Sequence, residues 1–252
     1  MNELILSIFP GIDLLGRGFE EQGFCVVQAQ DKITGGDVRR FHPPKGRFNG
    51  LIGGSPCQDF SLLNRNPTNY SHEMQDEYCR VVVESDVDWF LYENVVTAPS
   101  FEIEGYTQQR FTLDLAWFSD YSRRRDFIFG SKNGVLLEPM TKIKGEVKGT
   151  AVLGSDDRTF EECCAIQGVP SDVDLSSFNL SGKKQAVANG VPLVMAKYIA
   201  GLIKSDYYEQ KAKAVERVIA RRCACGCGRV VAGRAKTASA SCRKRLSRSK
   251  AA

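Results

Sequence analysis

Apolar residues in this chain fall into short runs separated by turn-forming and polar stretches. Residues 3–9 (Glu-Leu-Ile-Leu-Ser-Ile-Phe) predict a short buried strand, and Pro10-Gly11 predicts the turn that ends it. A helix is expected from there through about Gln22, and residues 24–29 read as a second strand. Leu51-Ile52 leads into the glycine turn at 53–54. A helical segment near 73–84 precedes the apolar run Trp89-Phe90-Leu91-Tyr92, and Phe127-Ile128-Phe129-Gly130 is one more such run. Residues 131–156 are turn-rich and lack strong periodicity, as a small separate lobe would. Apolar positions recur at helical spacing from Leu193 to Leu202, and residues 207–222 read as a basic connecting helix. Strands alternating with helices predict an α/β doubly wound sheet, whose ligands bind just past the strand ends.

Composition is that of an ordinary globular chain, 42% hydrophobic and 25% charged. No apolar run approaches the ~20 residues that cross a membrane. The N-terminus lacks the pattern of a signal peptide and is read as a strand. Nine cysteines at irregular spacing, without an export signal, point to free thiols in a reducing, cytoplasmic setting. The net charge of +4 conceals an asymmetry: residues 211–252 hold 13 Lys and Arg against Glu216 alone. A basic tail on an acidic body is a common footprint of nucleic-acid binding, and a solvated disordered tail is the alternative.

The stretch richest in chemistry is Gly53-Gly54-Ser55-Pro56-Cys57-Gln58-Asp59-Phe60-Ser61, which exposes a thiol at the rim of a cleft after a strand end. It resembles the nucleophile motif of cytosine-C5 DNA methyltransferases. Other family blocks follow in order across residues 4–203. Phe9-Pro10-Gly11-Ile12-Asp13 with Gly18-Phe19-Glu20 resembles the cofactor motif, and Tyr92-Glu93-Asn94-Val95 the Glu-Asn-Val motif. Arg123-Arg124-Arg125 resembles Gln-x-Arg-x-Arg, with Tyr121 in place of the usual glutamine. Glu162 with Ile166-Gln167-Gly168-Val169-Pro170, and Gln185 through Pro192, resemble the last two blocks. Asp13 and Leu14 stand where the family commonly has two glycines, and Ala188 replaces the glycine before Asn189.

The resemblance implies a Rossmann-like, S-adenosylmethionine-dependent fold and a division of labour. Cys57 would add as a thiolate to cytosine C6. Glu93 would hydrogen-bond N3, Arg125 would bind O2, and Arg123 would hold the cysteine loop. Phe9, Gly11, Ile12, Asp31, Asp37, Val38, Pro56, Asn189 and Val191 would bind S-adenosylmethionine, with Asp31 on the ribose and Asp37 on the adenine amino group. Gln58, Ser61, Arg65, Gln167 and Gly168 would contact DNA, and the polar loop 58–76 would close over a flipped base.

The expected organisation is a cofactor-binding and catalytic domain at 1–130 and a small target-recognition lobe at 131–182. A C-terminal helix at 183–206 returns to the catalytic domain, and a basic tail occupies 207–252. In that tail Cys223, Cys225, Cys227 and Cys242 resemble a miniature zinc ribbon, with free thiols on a disordered tail as the alternative. The compact layout resembles orphan enzymes of phages and prophages, for which protection of DNA from restriction is a fitting role. The expected partner is double-stranded DNA, met by a monomer with no obligatory protein partner and no membrane. The expected location is the cytoplasm of a bacterium or phage-infected host, associated with the nucleoid. A tRNA cytosine methyltransferase and an inactive DNA-binding protein are the rival readings.

Overall fold

The strand predicted at the N-terminus is β1, Leu4–Ile8, and Ile5, Leu6 and Ile8 on it are buried. It leads through a tight turn into α1, Leu14–Glu21, and then β2, Cys25–Gln28. The computed structural model describes residues 3–61, 64, 66–141, 147–150, 152–211, 223–231 and 235–249. They divide into two units, Met1–Ile203 and Lys204–Ala252. Most of the basic connecting helix expected at 207–222 lies outside the described residues.

The first unit continues through β3, Gly50–Gly53, α2, Tyr70–Ser85, and β4, Trp89–Asn94. It adds β5, Thr107–Asp114, β6, Tyr121–Ser122, β7, Arg124–Ser131, and β8, Gly149–Thr150. Three helices close it: α3, Phe160–Gln167, α4, Leu180–Asn189, and α5, Leu193–Leu202. The main sheet has the order β2-β1-β3-β4-β7-β5. β2, β1, β3 and β4 are parallel, whereas β7 runs antiparallel to both β4 and β5. The chain leaves β1 toward β2 on one side and returns to β3 on the other. The sheet therefore has a topological switch point between β1 and β3, where a crevice opens beyond the carboxyl ends of the strands.

Parallel strands are covered on both faces, so they read as continuous apolar runs. Leu6, Ile8, Leu51, Phe90, Tyr92 and Ile128 pack with Tyr78, Val81 and Val82 of α2. On the opposite face Trp89 contacts Phe19, with ring centroids 6.1 Å apart, and Phe129 at 6.2 Å. α1 and α5 pack there in close contact: a Cβ on Gly18 would lie 2.4 Å from Ala196 Cβ and 2.8 Å from backbone atoms behind it. β5 carries no apolar signal in the sequence, because six of the eight residues of this edge strand are polar and only Leu113 and Asp114 are buried. Residues of the segment expected as a small lobe share a core with α4: Val152, Cys163 and Leu175 pack with Ala186 and Val187.

By length and composition the run Leu180–Lys211 would suffice to cross a membrane. Gly190 to Pro192 break it between α4 and α5, and Met195, Ala196, Ile199 and Ala200 are buried in the folded unit, which is the behaviour of a core helix. Gly18→Ala tests the α1–α5 contact. Alanine favours a helix by about 1 kcal/mol over glycine, but here its methyl group would meet backbone. The variant should lose about 1–3 kcal/mol of stability in urea unfolding.

Candidate active site

A cavity of about 520 Å³ lies at the switch point, within the size range of ligand pockets. Phe9 to Ile12 line it from the β1–α1 turn, Asp31 to Val38 from the segment after β2, and Pro56 to Gln58 from the loop after β3. Glu93 and Asn94 come from β4, Arg125 from β7, and Asn189 and Gly190 from the end of α4. Of the residues expected to bind cofactor or perform chemistry, Cys57, Glu93, Arg125, Phe9, Gly11, Ile12, Asp31, Asp37, Val38, Pro56 and Asn189 all face this space. Val191 is buried just beside it, and Arg123 sits behind its wall.

The cysteine loop is held from β4. Side chains alternate along a strand, so Tyr92 and Asn94 share one face and Glu93 takes the other. The Tyr92 hydroxyl and Ser55 Oγ lie 2.6 Å apart, and Asn94 Nδ2 donates to Ser55 O at 3.1 Å and to the Tyr92 hydroxyl at 2.7 Å. These buried bonds fix the backbone that presents Cys57. Gly54 is required by proximity: a Cβ there would lie 2.6 Å from Glu93 Oε2 and 2.8 Å from Glu93 O. The Tyr92–Asn94 clamp is not evident from motif matching; its trace is two polar residues at alternate positions at the end of an apolar strand.

The arginine triplet is sorted by the same alternation. Arg124 is exposed, whereas Arg123 and Arg125 project to the face carrying Phe127, which is paired with Glu93. Arg125 Nε meets Glu93 Oε1 at 2.8 Å. Burial raises the Glu93 carboxyl above its ordinary range, and the cations Arg125 and Arg123 offset this only in part. Burial likewise raises the Cys57 thiol, with Arg125 pulling it down and Glu93 pushing it up. The Arg123 guanidinium is pushed down to about 9, chiefly by burial.

Arg123 does not bond to the cysteine loop as expected. It donates to the carbonyls of Val152, Ala188 and Gly190. Gln167 joins the same knot, donating to Val187 O at 2.8 Å and Gly190 O at 3.0 Å. The expectation that Gln167 contacts DNA is therefore corrected: its side chain is 1% exposed and is spent on tying α3 to the turn between α4 and α5. Gly168 is an exposed left-handed cap of α3, with φ 71°. Gln58 and Ser61 lie on the loop bordering the cavity, and Arg65 lies outside the described residues. That loop is shorter than expected, because α2 begins at Tyr70. Asp59 staples it, accepting from Thr68 N at 2.9 Å and Ser71 N at 2.8 Å, and these bonds hold its carboxyl below the usual range.

Asp13 turns away from the cavity. It caps α1 from a left-handed conformation, with φ 48°, and its Oδ1 accepts from Ser7 Oγ and Gly16 N, both at 2.9 Å. The departure from two glycines thus adds a buried cap and leaves the cavity clear. Asp31 accepts from Gly11 N at 3.1 Å and from Ile33 N at 2.9 Å, joining the turn after β1 to the segment after β2. The Asp37 carboxylate is engaged through both oxygens by Arg39. Lys32 lies over the ring of Tyr70 at 5.1 Å.

Among known proteins, the family model described as C-5 cytosine-specific DNA methylase matches residues 21–146. The chain is 30% identical over 201 residues to the Type II methyltransferase M.XorII of Xanthomonas oryzae pv. oryzae, across 62% of this chain and 47% of that protein. It is 28% identical over 174 residues to the Type II methyltransferase M.AgeI of Thalassovita gelatinovora, across 53% of this chain and 41% of that one. The matched stretches thus span less than half the length of these curated relatives. The methyltransferase EhMeth of Entamoeba histolytica is similar in structure, with a TM-score of 0.53 over 82% of this chain and 99% of that one. At 11% identity that likeness is one of fold.

Alkylation by iodoacetamide, read by peptide mass spectrometry, tests the electrostatics of the site. Because the folded thiol is raised, Cys57 should react with a midpoint above the ordinary value of 9.0. Arg125→Gln removes the cation that opposes the shift and should move the midpoint further up; an unchanged or lower midpoint would contradict this account.

Proposed function

The chain belongs to the C-5 cytosine-specific DNA methylase family, and from that premise we propose that it transfers a methyl group from S-adenosylmethionine to C5 of a cytosine flipped out of duplex DNA. The observation that carries this reading is the meeting of Cys57, Glu93 and Arg125 at one end of the cavity at the switch point.

The residues around the cavity fit the methyl donor. Phe9, Ile12, Val38 and Pro56 offer apolar surface for a base. Asp31 uses one lone pair on each oxygen for backbone donors, and a carboxylate has about four such sites, so acceptor capacity remains for the two ribose hydroxyls. Asn189 and Val191 close the methionine end. Asp37 accepts from the adenine amino group only if Arg39 turns aside. When bound, S-adenosylmethionine supplies an electrophilic methyl group.

The chain's own groups make cytosine able to receive it. Cys57 gives its proton to solvent and its sulfur forms a bond to C6, and the electron pair released from the C5–C6 double bond makes C5 nucleophilic. Charge that would build on N3 is met by the Glu93 carboxyl, whose hold on a proton burial strengthens. Arg125, already against Glu93, turns toward O2. Once C5 has taken the methyl group, with the donor leaving as its thioether, solvent would accept the C5 proton, and the electrons of that C–H bond would re-form the C5–C6 double bond and expel Cys57 as a thiolate. Arg123 and Gln167 act as positioning residues, holding the Asn189 turn against the site. Gln58, Ser61 and Arg65 approach the DNA, and the Lys and Arg of the tail add salt-dependent phosphate contacts. Protection of DNA from restriction fits the names of the two curated relatives, and a cytoplasmic, nucleoid-associated monomer fits the substrate.

Bisulfite sequencing of DNA from cells expressing the chain tests the reading. Protected cytosines should appear with the wild type and vanish with Cys57→Ala, and Glu93→Ala should lower kcat about 10²–10⁴-fold. Soluble wild type that protects no cytosine in DNA would defeat the proposal, and protected tRNA cytosines would replace it with the RNA reading.

A further inference from the structure

The second unit contains a side-chain cluster that methyl transfer does not use. Cys223, Cys225, Cys227 and Cys242 turn their sulfurs toward one point, all within 4.8 Å of one another. Cys223 and Cys225 sulfurs are 3.3 Å apart, and those of Cys227 and Cys242 are 3.6 Å apart. Four thiolates bound tetrahedrally at ~2.3 Å from one ion sit ~3.8 Å apart. The observed spacing brackets that value. It is too wide for disulfides, whose sulfurs are ~2.05 Å apart, and too tight for a polynuclear iron–sulfur cluster, whose irons hold the thiolates farther from one another.

The backbone is arranged for the cluster. Gly226 and Gly228 adopt left-handed conformations, with φ 77° and 74°, and let the chain fold back between successive cysteines. Cys223 N donates to Arg229 O at 2.7 Å and Ala224 N to Lys236 O at 2.9 Å, closing the segment on itself. Ala238 N donates to Cys223 Sγ at 3.2 Å and Ser239 Oγ to Cys242 Sγ at 3.3 Å, as outer-shell groups support metal-bound sulfur. Cys242 lies in the first turn of α6, Ala240–Ser249, and Ser239 Oγ accepts from its backbone N–H at 3.3 Å.

Energetics point the same way. Among the described residues, the buried hydrophobic cluster around these sulfurs consists of Cys223, Cys242 and Val231, with Cys225 and Cys227 packed against it. Such a core is far too small to order a segment dense in Lys and Arg, and small modules of this size are held by a metal or by disulfides. We infer that these four cysteines bind a single structural zinc ion, and that this ion folds the basic tail into a module. Metal binding then supplies the folding free energy of the tail, and chelation unfolds it.

The test uses the full chain, expressed with zinc and dialysed without chelator, with metal measured by plasma mass spectrometry. About one zinc per chain is expected for the wild type and for Cys25→Ser, and less than about a tenth for the Cys225→Ser, Cys242→Ser double variant. Chelation should release the zinc and make the tail cleavable by trypsin at Lys and Arg while the first unit stays intact. A wild type without zinc, iron in its place, zinc retained by the double variant, or a trypsin pattern unmoved by chelation would each overturn the inference. None of these readouts depends on methylation, so a failure here is distinct from a failure of the proposed activity.

Discussion

Glu93 is a carboxylate on a strand whose every residue is buried, and such a group needs a counter-charge at contact distance. Arg125 provides it, and the antiparallel register of β7 on β4 brings it there. Much of the cavity wall depends on that pairing. Gly54 carries no side chain because Glu93 occupies the space. Cys57 feels both charges, one raising its pKa and the other lowering it. Slipping β7 by one residue would bring Arg124 to Glu93's side and send Arg123 and Arg125 to the opposite face.

A second constraint comes from carbonyls left open where α4 ends. Helix termini leave acceptors without partners, and here Arg123 and Gln167 take those of Val187, Ala188 and Gly190. The cost is visible in the same two terminal groups: Arg123 Nε and Gln167 Oε1 are buried without a partner among the described residues. Those unmet groups are tolerated because the knot fixes Asn189 at the cavity. The buried cap formed by Asp13 serves the opposite wall in the same way, and its carboxyl is raised by burial despite its two hydrogen bonds.

The two units are stabilised by different means. The first has apolar layers on both faces of its sheet. Among its described residues the second gathers four sulfurs and Val231 in one cluster, with exposed cations such as Arg243, Lys244, Arg245 and Arg248 nearby in the chain. Apolar burial suffices in one, and ligation of a metal is the natural supplement in the other.

The sequence by itself determined the elements whose signal is local. β1 to β4 are apolar runs ended by turns, α5 follows its helical spacing from Leu193 to Leu202, and Cys57 sits in the loop that follows the glycine turn. Four cysteines near the end of the chain pointed to a cluster before their sulfurs were brought within reach of one another. The edge strand β5 left no such trace, since six of its eight residues are polar and only the last two are buried. Only the tertiary structure decided which arginine of Arg123-Arg124-Arg125 reaches Glu93, that Gln167 is buried, and that Asp13 points away from the cavity. Those outcomes depend on strand register and on which backbone groups elsewhere lack partners, and neither quantity is written in the residues next to them in the chain.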